Sequence, residues 1–327
     1  MDISIIIVNW NSIDFTRNCV SSIYAQAGPS SFEIVVVDNA SSDEWESFQE
    51  TFPGVKLVRS DRNLGFAGGN NLAFEFTCGD KILFLNPDTV VLDHAIERMC
   101  SGLDTFPGVG ALGCKLLNAD LSLQNTCIQP FPTITNQLLT MDFLKRRWPR
   151  LSLWGMQALY SHHPGALEEV EIASGACLML KRQVFDQVGG FSRNYFMYAE
   201  EMDLCYKIRR AGWAVAYMGD AEVIHFGGQS TKKKDNGFAD VVMRDSVFRF
   251  FCKFRGNGYA ELYRAALFLS ASARLLLLAP LTLFPARREA AQRIWRKWYR
   301  IARWTLDLER WTQQLGSVQI STTAGKS

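Results

Sequence analysis

The sequence predicts an α/β fold, a mostly parallel central sheet flanked by helices, followed by a helical extension from about residue 239. Three observations predict it. The runs Ile3-Ser4-Ile5-Ile6-Ile7-Val8 and Glu33-Ile34-Val35-Val36-Val37 are β-branched and apolar on both faces, as strands covered on two sides must be. Amphipathic stretches separate such runs, so β and α units alternate. The runs also end in Asn, Asp or Gly-rich turns, the usual edge chemistry of an open sheet.

Residues 3–8 form the first strand, bounded by Asn9-Trp10-Asn11. Phe15, Cys19, Ile23 and Tyr24 then fall on one helical face, and Gly28-Pro29 stops that helix. Residues 33–37 are the second strand, followed by an amphipathic stretch over 43–51, a strand over 55–58, a Gly-rich helix over 65–77 and a strand over 81–85. Residues 105–170 carry Pro107, Pro130, Pro132, Pro149 and Pro164 and are expected to be loops with short elements. A strand over 171–180 is interrupted by Ser174-Gly175-Ala176, and helices cover 181–188 and 200–211, the second ended by Gly212 at C′. Short strands follow over 214–217 and 222–225. The expected organisation is a domain over 1–238, a helical, membrane-associating region over 239–315 and a flexible tail over 316–327.

At 327 residues, with 48% apolar and 21% charged residues, the chain is globular in composition. The net charge of +2 hides a basic segment over 287–310, where Arg and Lys alternate with Trp295, Trp298, Tyr299 and Trp304. That mixture suits a helix lying on an anionic leaflet, or else a basic helix packed on the preceding α/β domain. Residues 265–283 are strongly apolar, but Arg274, Pro280 and Pro285 favour an in-plane helix or hairpin over a full span. No nucleic-acid partner is expected. The eight cysteines make no C-x-x-C pair and no zinc spacing, which fits small buried side chains in a reducing cytosol. The chain opens on a strand-like run with no basic leader, so the α/β part is expected to face the cytoplasm.

Chemistry concentrates at the turns. Asn86-Pro87-Asp88-Thr89 closes the strand over 81–85 and sets a hard oxygen ligand at the sheet edge, where Mg²⁺ or Mn²⁺ could meet phosphate oxygens. Asp38 is either an Asx turn or a carboxylate for the imide N–H of a pyrimidine. Asn63-Leu64-Gly65-Phe66-Ala67-Gly68-Gly69-Asn70 has the glycines of a loop that lets backbone amides approach phosphate, without a Walker lysine. Glu200-Glu201-Met202-Asp203 places three carboxylates at a helix start, as dipole complements or as a general base of raised pKa. His225, one of four histidines, ends a strand beside Gly227-Gly228 and is a candidate metal or diphosphate ligand.

Taken in order, these segments resemble glycosyltransferase family 2, the inverting GT-A class, in its rhamnosyltransferase-like branch. The resemblance runs from residue 3 to about 231 and rests on seven segments: those just described, together with Ser4–Asn11 and Ser174-Gly175-Ala176. It implies a nucleotide-sugar donor, dTDP-rhamnose first and UDP-hexose second, a divalent cation, and a glycan or lipid-linked acceptor at the cytoplasmic membrane face. It further implies donor contacts from Asn9, Asp38, Asn63, Gly65, Gly69 and Asn70, and metal contacts from Asp88, Asn86 and His225. Asn86 stands where the family's D-x-D has its first Asp, which leaves a single carboxylate. Glu201 stands at the family's catalytic Asp, with Asp203 as its rival. Those two departures also leave open a non-catalytic scaffold that binds nucleotide sugars.

Overall fold

The computed structural model describes residues 1–139, 147–148, 150–160, 165–195, 197–227, 238–280 and 288–309. They fall into two compact units, the first from 1–131, 141–193 and 200–230, the second from 132–140, 194–199 and 231–327.

The first unit opens with β1 (Ile3–Asn9), α1 (Ile13–Ala25), β2 (Phe32–Asp38), α2 (Glu46–Thr51), β3 (Lys56–Arg59), α3 (Gly65–Phe74) and β4 (Lys81–Leu85). β1 pairs in parallel with β2 and β4, and β2 with β3. Ile5, Ile6 and Ile7, and Val35, Val36 and Val37, have no accessible surface, so helices cover both faces of this half. Each such side chain contributes about 1.5–3 kcal/mol of apolar burial.

The sheet then changes character. β5 (Thr89–Val91), α4 (Ala95–Thr105), β6 (Val109–Leu117), β7 (Ile128–Gln129), β8 (Leu167–Glu169), β9 (Ile172–Ala173), β10 (Cys177–Lys181), α6 (Arg182–Gln187), α7 (Glu200–Arg210) and β11 (Ala214–His225) complete the unit. The order across the nine-stranded sheet is β3-β2-β1-β4-β10-β6-β11-β5, with β8 on β11. β10 runs antiparallel between β4 and β6, while β11 runs parallel to β6.

Two expectations are corrected here. The segment expected to be loops contains β6, a nine-residue strand in the middle of the sheet. Glycines disguise it: a Cβ at Gly113 would lie 2.6 Å from that of Ala173, and one at Gly110 would lie 2.8 Å from that of Trp213. Small residues here are close-approach sites, not breakers. The two short strands expected over 214–217 and 222–225 are one strand, β11, with a register shift between Met218 and Glu222.

The second unit is helical: α5 (Ile134–Leu138), α8 (Phe238–Arg255), α9 (Asn257–Leu278) and α10 (Arg288–Thr305). Phe250, Phe251, Tyr263, Leu267, Trp298, Ile301 and Trp304 are buried in it. Trp298 and Trp304 therefore pack inward instead of facing an interface, which corrects the interfacial reading of these two rings. Among the described residues no helix is long and apolar enough to cross a membrane. The tail expected over 316–327 lies outside the described residues.

Candidate active site

The carboxyl ends of β1, β2 and β4 carry four of the predicted site residues, Asn9, Asp38, Asn86 and Asp88. Asn9, wholly buried, spends its amide on the protein itself. Its Nδ2 donates to Asp43 Oδ2 at 2.8 Å, and its Oδ1 accepts from Ser12 and Thr16 hydroxyls at 2.9 and 2.8 Å. Asn9 thus ties the loop after β2 to the start of α1. Asp38, 7% exposed, accepts through Oδ1 from the Ser41 amide at 3.0 Å and from the Ser41 hydroxyl at 2.6 Å. This is an Asx turn that also fixes the carboxylate at the strand end.

Asn39, which sequence reasoning passed over, joins that turn to the glycine loop. Its Nδ2 donates to Asn63 Oδ1 at 3.0 Å and to the Gly65 carbonyl at 3.2 Å, and its Oδ1 accepts from the Leu64 amide at 2.8 Å. Asn63 Oδ1 also accepts from the Gly65 amide at 2.8 Å, and Asn70 Nδ2 donates to the Phe66 carbonyl at 2.9 Å. Asn63, Gly65 and Asn70 are therefore brought into one network that shapes the N-terminus of α3. Gly69 serves packing: a Cβ there would lie 2.7 Å from Val8 Cγ1, so its bare backbone lets α3 sit on β1.

Asp88 and His225 meet across the turn after β4. The Phe226 amide donates to the Asp88 carbonyl at 2.9 Å, which locks the end of β11 to that turn. Asp88 Oδ1 lies 3.4 Å from His225 Nε2, and Asn86 Nδ2 lies 3.2 Å from the same nitrogen. Gln124 supplies the orientation. Its Nε2 donates to the His225 carbonyl at 2.8 Å and to Asn118 Oδ1 at 3.1 Å, leaving Oε1 to accept from His225 Nδ1 at 2.9 Å. The network thus assigns the proton of a neutral ring to Nδ1 and leaves the Nε2 lone pair to accept from Asn86 Nδ2, with Asp88 Oδ1 beside it. A carboxylate oxygen and an imidazole lone pair facing each other at this distance are donors of the kind a divalent cation accepts. Among the described residues no group of three His, Cys, Asp or Glu converges. Diphosphate oxygens and water would have to complete such a coordination shell.

Glu200, Glu201 and Asp203 open α7, directly after Tyr198 and Ala199, both in the left-handed region at φ 67° and 65°. Such conformations cost non-glycine residues on the order of 1–3 kcal/mol each. The three carboxylates have separate fates. Asp203 has no accessible surface, accepts from the Ser192 hydroxyl at 2.6 Å, and lies 3.6 Å from Lys207 Nζ. Glu200 is 7% exposed, with no hydrogen-bond partner for Oε2 among the described residues, and burial together with the Glu201 charge pushes its pKa well up. Glu201 keeps partial access to solvent, and its pKa is raised by desolvation. A Cβ at Gly175 would lie 3.3 Å from Glu201 Cβ and 3.7 Å from Phe66 Cε1, so the Ser174-Gly175-Ala176 segment, the glycine loop and Glu201 adjoin one another. Of the two candidate bases, Glu201 is the accessible one.

Residues 2–242 match the model of the family described as "Glycosyltransferase like family 2". The chain is 29% identical over 210 residues to an N-acetylglucosaminyl-diphospho-decaprenol L-rhamnosyltransferase of Mycobacterium tuberculosis, covering 61% of this chain and 67% of that one. It is 28% identical over 267 residues to the low-salt glycan biosynthesis hexosyltransferase Agl10 of Haloferax volcanii, covering 80% and 75%. Among solved structures, the mannosyltransferase PcManGT of Pyrobaculum calidifontis, in complex with GDP-Man and Mn²⁺, superposes with a TM-score of 0.56 at 18% identity, over 92% of this chain and 85% of that one. The fold is GT-A, with strand ends gathered at one edge of the sheet. The chain belongs to glycosyltransferase family 2 and is a glycosyltransferase.

Proposed function

We propose that this enzyme transfers L-rhamnose, with inversion, from a deoxythymidine-diphosphate donor to a lipid-linked saccharide at the cytoplasmic face of a cell membrane, which its C-terminal helices contact peripherally. The observation that carries the inverting mechanism is Glu201, partly exposed as a residue, its carboxyl raised in pKa by desolvation and lying beside Gly175, which also touches the glycine loop. The donor and acceptor rest on the name of the mycobacterial relative, a rhamnosyltransferase acting on a diphospho-decaprenol. A UDP-hexose donor is the second reading, and the name of the haloarchaeal relative, a hexosyltransferase, supports its hexose.

In this reading Asp38 meets the pyrimidine, and the Asn39–Asn63 network holds the glycine loop against the nucleotide. Asp88 and His225 would hold Mg²⁺ or Mn²⁺, with Gln124 and Asn86 orienting the imidazole; the Mn²⁺ in the PcManGT complex supports this choice of ion. When bound, the cation neutralises charge on the departing diphosphate. Glu201 takes the proton of the acceptor hydroxyl as its oxygen attacks the anomeric carbon. The new C–O bond forms as the bond to the diphosphate breaks on the opposite face, and the proton stays on the Glu201 carboxyl. Holding both substrates in line supplies up to roughly 7–11 kcal/mol of the barrier reduction.

The test is a donor panel on purified enzyme with a lipid-linked acceptor, reading released nucleoside diphosphate with and without EDTA. Turnover is expected with dTDP-rhamnose and to vanish in EDTA. Turnover with UDP-hexoses alone replaces the donor by the second reading. Full activity in excess EDTA removes the cation.

A further inference from the structure

We propose that the outward leucine row of α9 is the surface that enters an anionic phospholipid leaflet, while the basic helix α10 acts as its electrostatic companion. This rests on the membrane contact proposed above and assigns it to a face. Leu262, Leu269, Leu276 and Leu277 are 59%, 68%, 76% and 76% exposed, values far outside what a packed helix shows. Leu262, Leu269 and Leu276 recur every seven residues, so they share one face over about 21 Å of helix. Ala265, Ala266, Ser272 and Ala273 fall on the same face by helical spacing, and none carries charge.

The opposite face of α9 is the one that packs: Ala260, Tyr263, Leu267 and Ala271 are buried. Arg274, the one charge inside the apolar stretch, belongs to that inner side. Its guanidinium lies 4.2 Å from the Trp298 ring centroid and donates to the Leu138 carbonyl at 2.9 Å. The charge that argues against bilayer contact in the sequence is thus withdrawn from the outer face altogether. Arg264 is likewise engaged with the Thr305 carbonyl at 2.9 Å.

The occupant follows from charge and shape. A convex row of leucines with no charged group among them is suited to acyl chains, and it offers no groove to a peptide. α10 carries Arg293 and Arg296 on its exposed surface, in the same helical unit, and guanidinium groups near such a row favour anionic headgroups over zwitterionic ones. Trp298 and Trp304 are buried and cannot insert, which leaves the exposed leucines of α9 as the main inserting groups.

The experiment is flotation of the full-length protein with vesicles of phosphatidylcholine and phosphatidylglycerol, or of phosphatidylcholine alone, alongside sedimentation velocity without lipid. The wild type is expected to float with the anionic vesicles and much less with the neutral ones. The triple variant Leu269→Ser, Leu276→Ser, Leu277→Ser is expected to lose roughly a hundredfold in partitioning. It should keep the wild-type circular dichroism and nucleotide affinity, because all three side chains already face water. Arg293→Gln with Arg296→Gln should lose the anionic preference and its salt sensitivity. If the triple variant floats as the wild type does, the face is wrong while membrane contact stands. If the wild type does not float, both fall. A wild-type dimer that the triple variant abolishes, without flotation of either, makes a second copy the occupant and overturns the proposal.

Discussion

Glu201 and Asp203 differ by two positions in sequence and by everything in environment. Glu201→Gln keeps shape but cannot take a proton, and is expected to lower kcat at least about a hundredfold with donor affinity nearly unchanged. Asp203→Asn keeps an acceptor for Ser192 but removes the charge opposite Lys207, so its effect should appear in unfolding, about 1–3 kcal/mol, with turnover largely retained. A dead Asp203→Asn that melts like the wild type, beside an active Glu201→Gln, reverses the two roles. The pH profile carries a sign as well. Desolvation raises the Glu201 pKa and the base must be deprotonated, so kcat should fall with decreasing pH through a limb above the ordinary glutamate value of about 4.3. Gln124 acts through His225. Gln124→Leu is expected to weaken Mn²⁺ activation about 10–100-fold, seen as a raised metal requirement at unchanged donor KM, and Gln124→Glu should restore part of it by keeping an acceptor for Nδ1. Gln124 was not legible in the sequence, because it works on a histidine that only β11 brings to it. The choice between Glu201 and Asp203 was equally closed, since burial decides it and both stand in the first turn of one helix.

At the scale of elements, α7 stores an electrostatic cost at its own start. Glu200 has a folded-state pKa raised above its unfolded value, so the folded state binds the proton more tightly. That contribution is fully present below the ordinary carboxylate pKa and is lost as pH rises through the raised one. Glu200→Gln, which stays neutral, should therefore raise the unfolding free energy at neutral pH by on the order of 1 kcal/mol or more, with the gain vanishing below about pH 4. A variant no more stable than the wild type at pH 7 would contradict the burial argument. β6 makes the complementary point about packing. Gly113→Val should destabilise by about 2–4 kcal/mol in a denaturant titration, because the new side chain has no room beside Ala173. The strands at 3–9, 32–38 and 81–85 were legible because β-branched runs covered on both faces have one reading. β6 was not, because the glycines that let it sit at the centre of the sheet are the residues that usually signal a turn.

For the whole molecule, the decisive feature is β10, the strand that enters the sheet out of order. β4 is paired on one side by β1, and its other edge waits for Cys177–Lys181, about ninety residues later in the chain. At synthesis rates of about 5–20 residues per second, the edge Ile82-Leu83-Phe84-Leu85 stays open on the ribosome for roughly 5–20 s. An uncharged apolar edge of that kind is a template for pairing with another chain. Chains arrested before residue 177 should therefore be captured by chaperones or aggregate, and those released after residue 225 should not; pelleting of stalled nascent chains reads the difference. The same insertion means that Asp88, Gln124 and His225 come together only when the last strand docks. A chain that stops before β11 therefore lacks the histidine of that cluster.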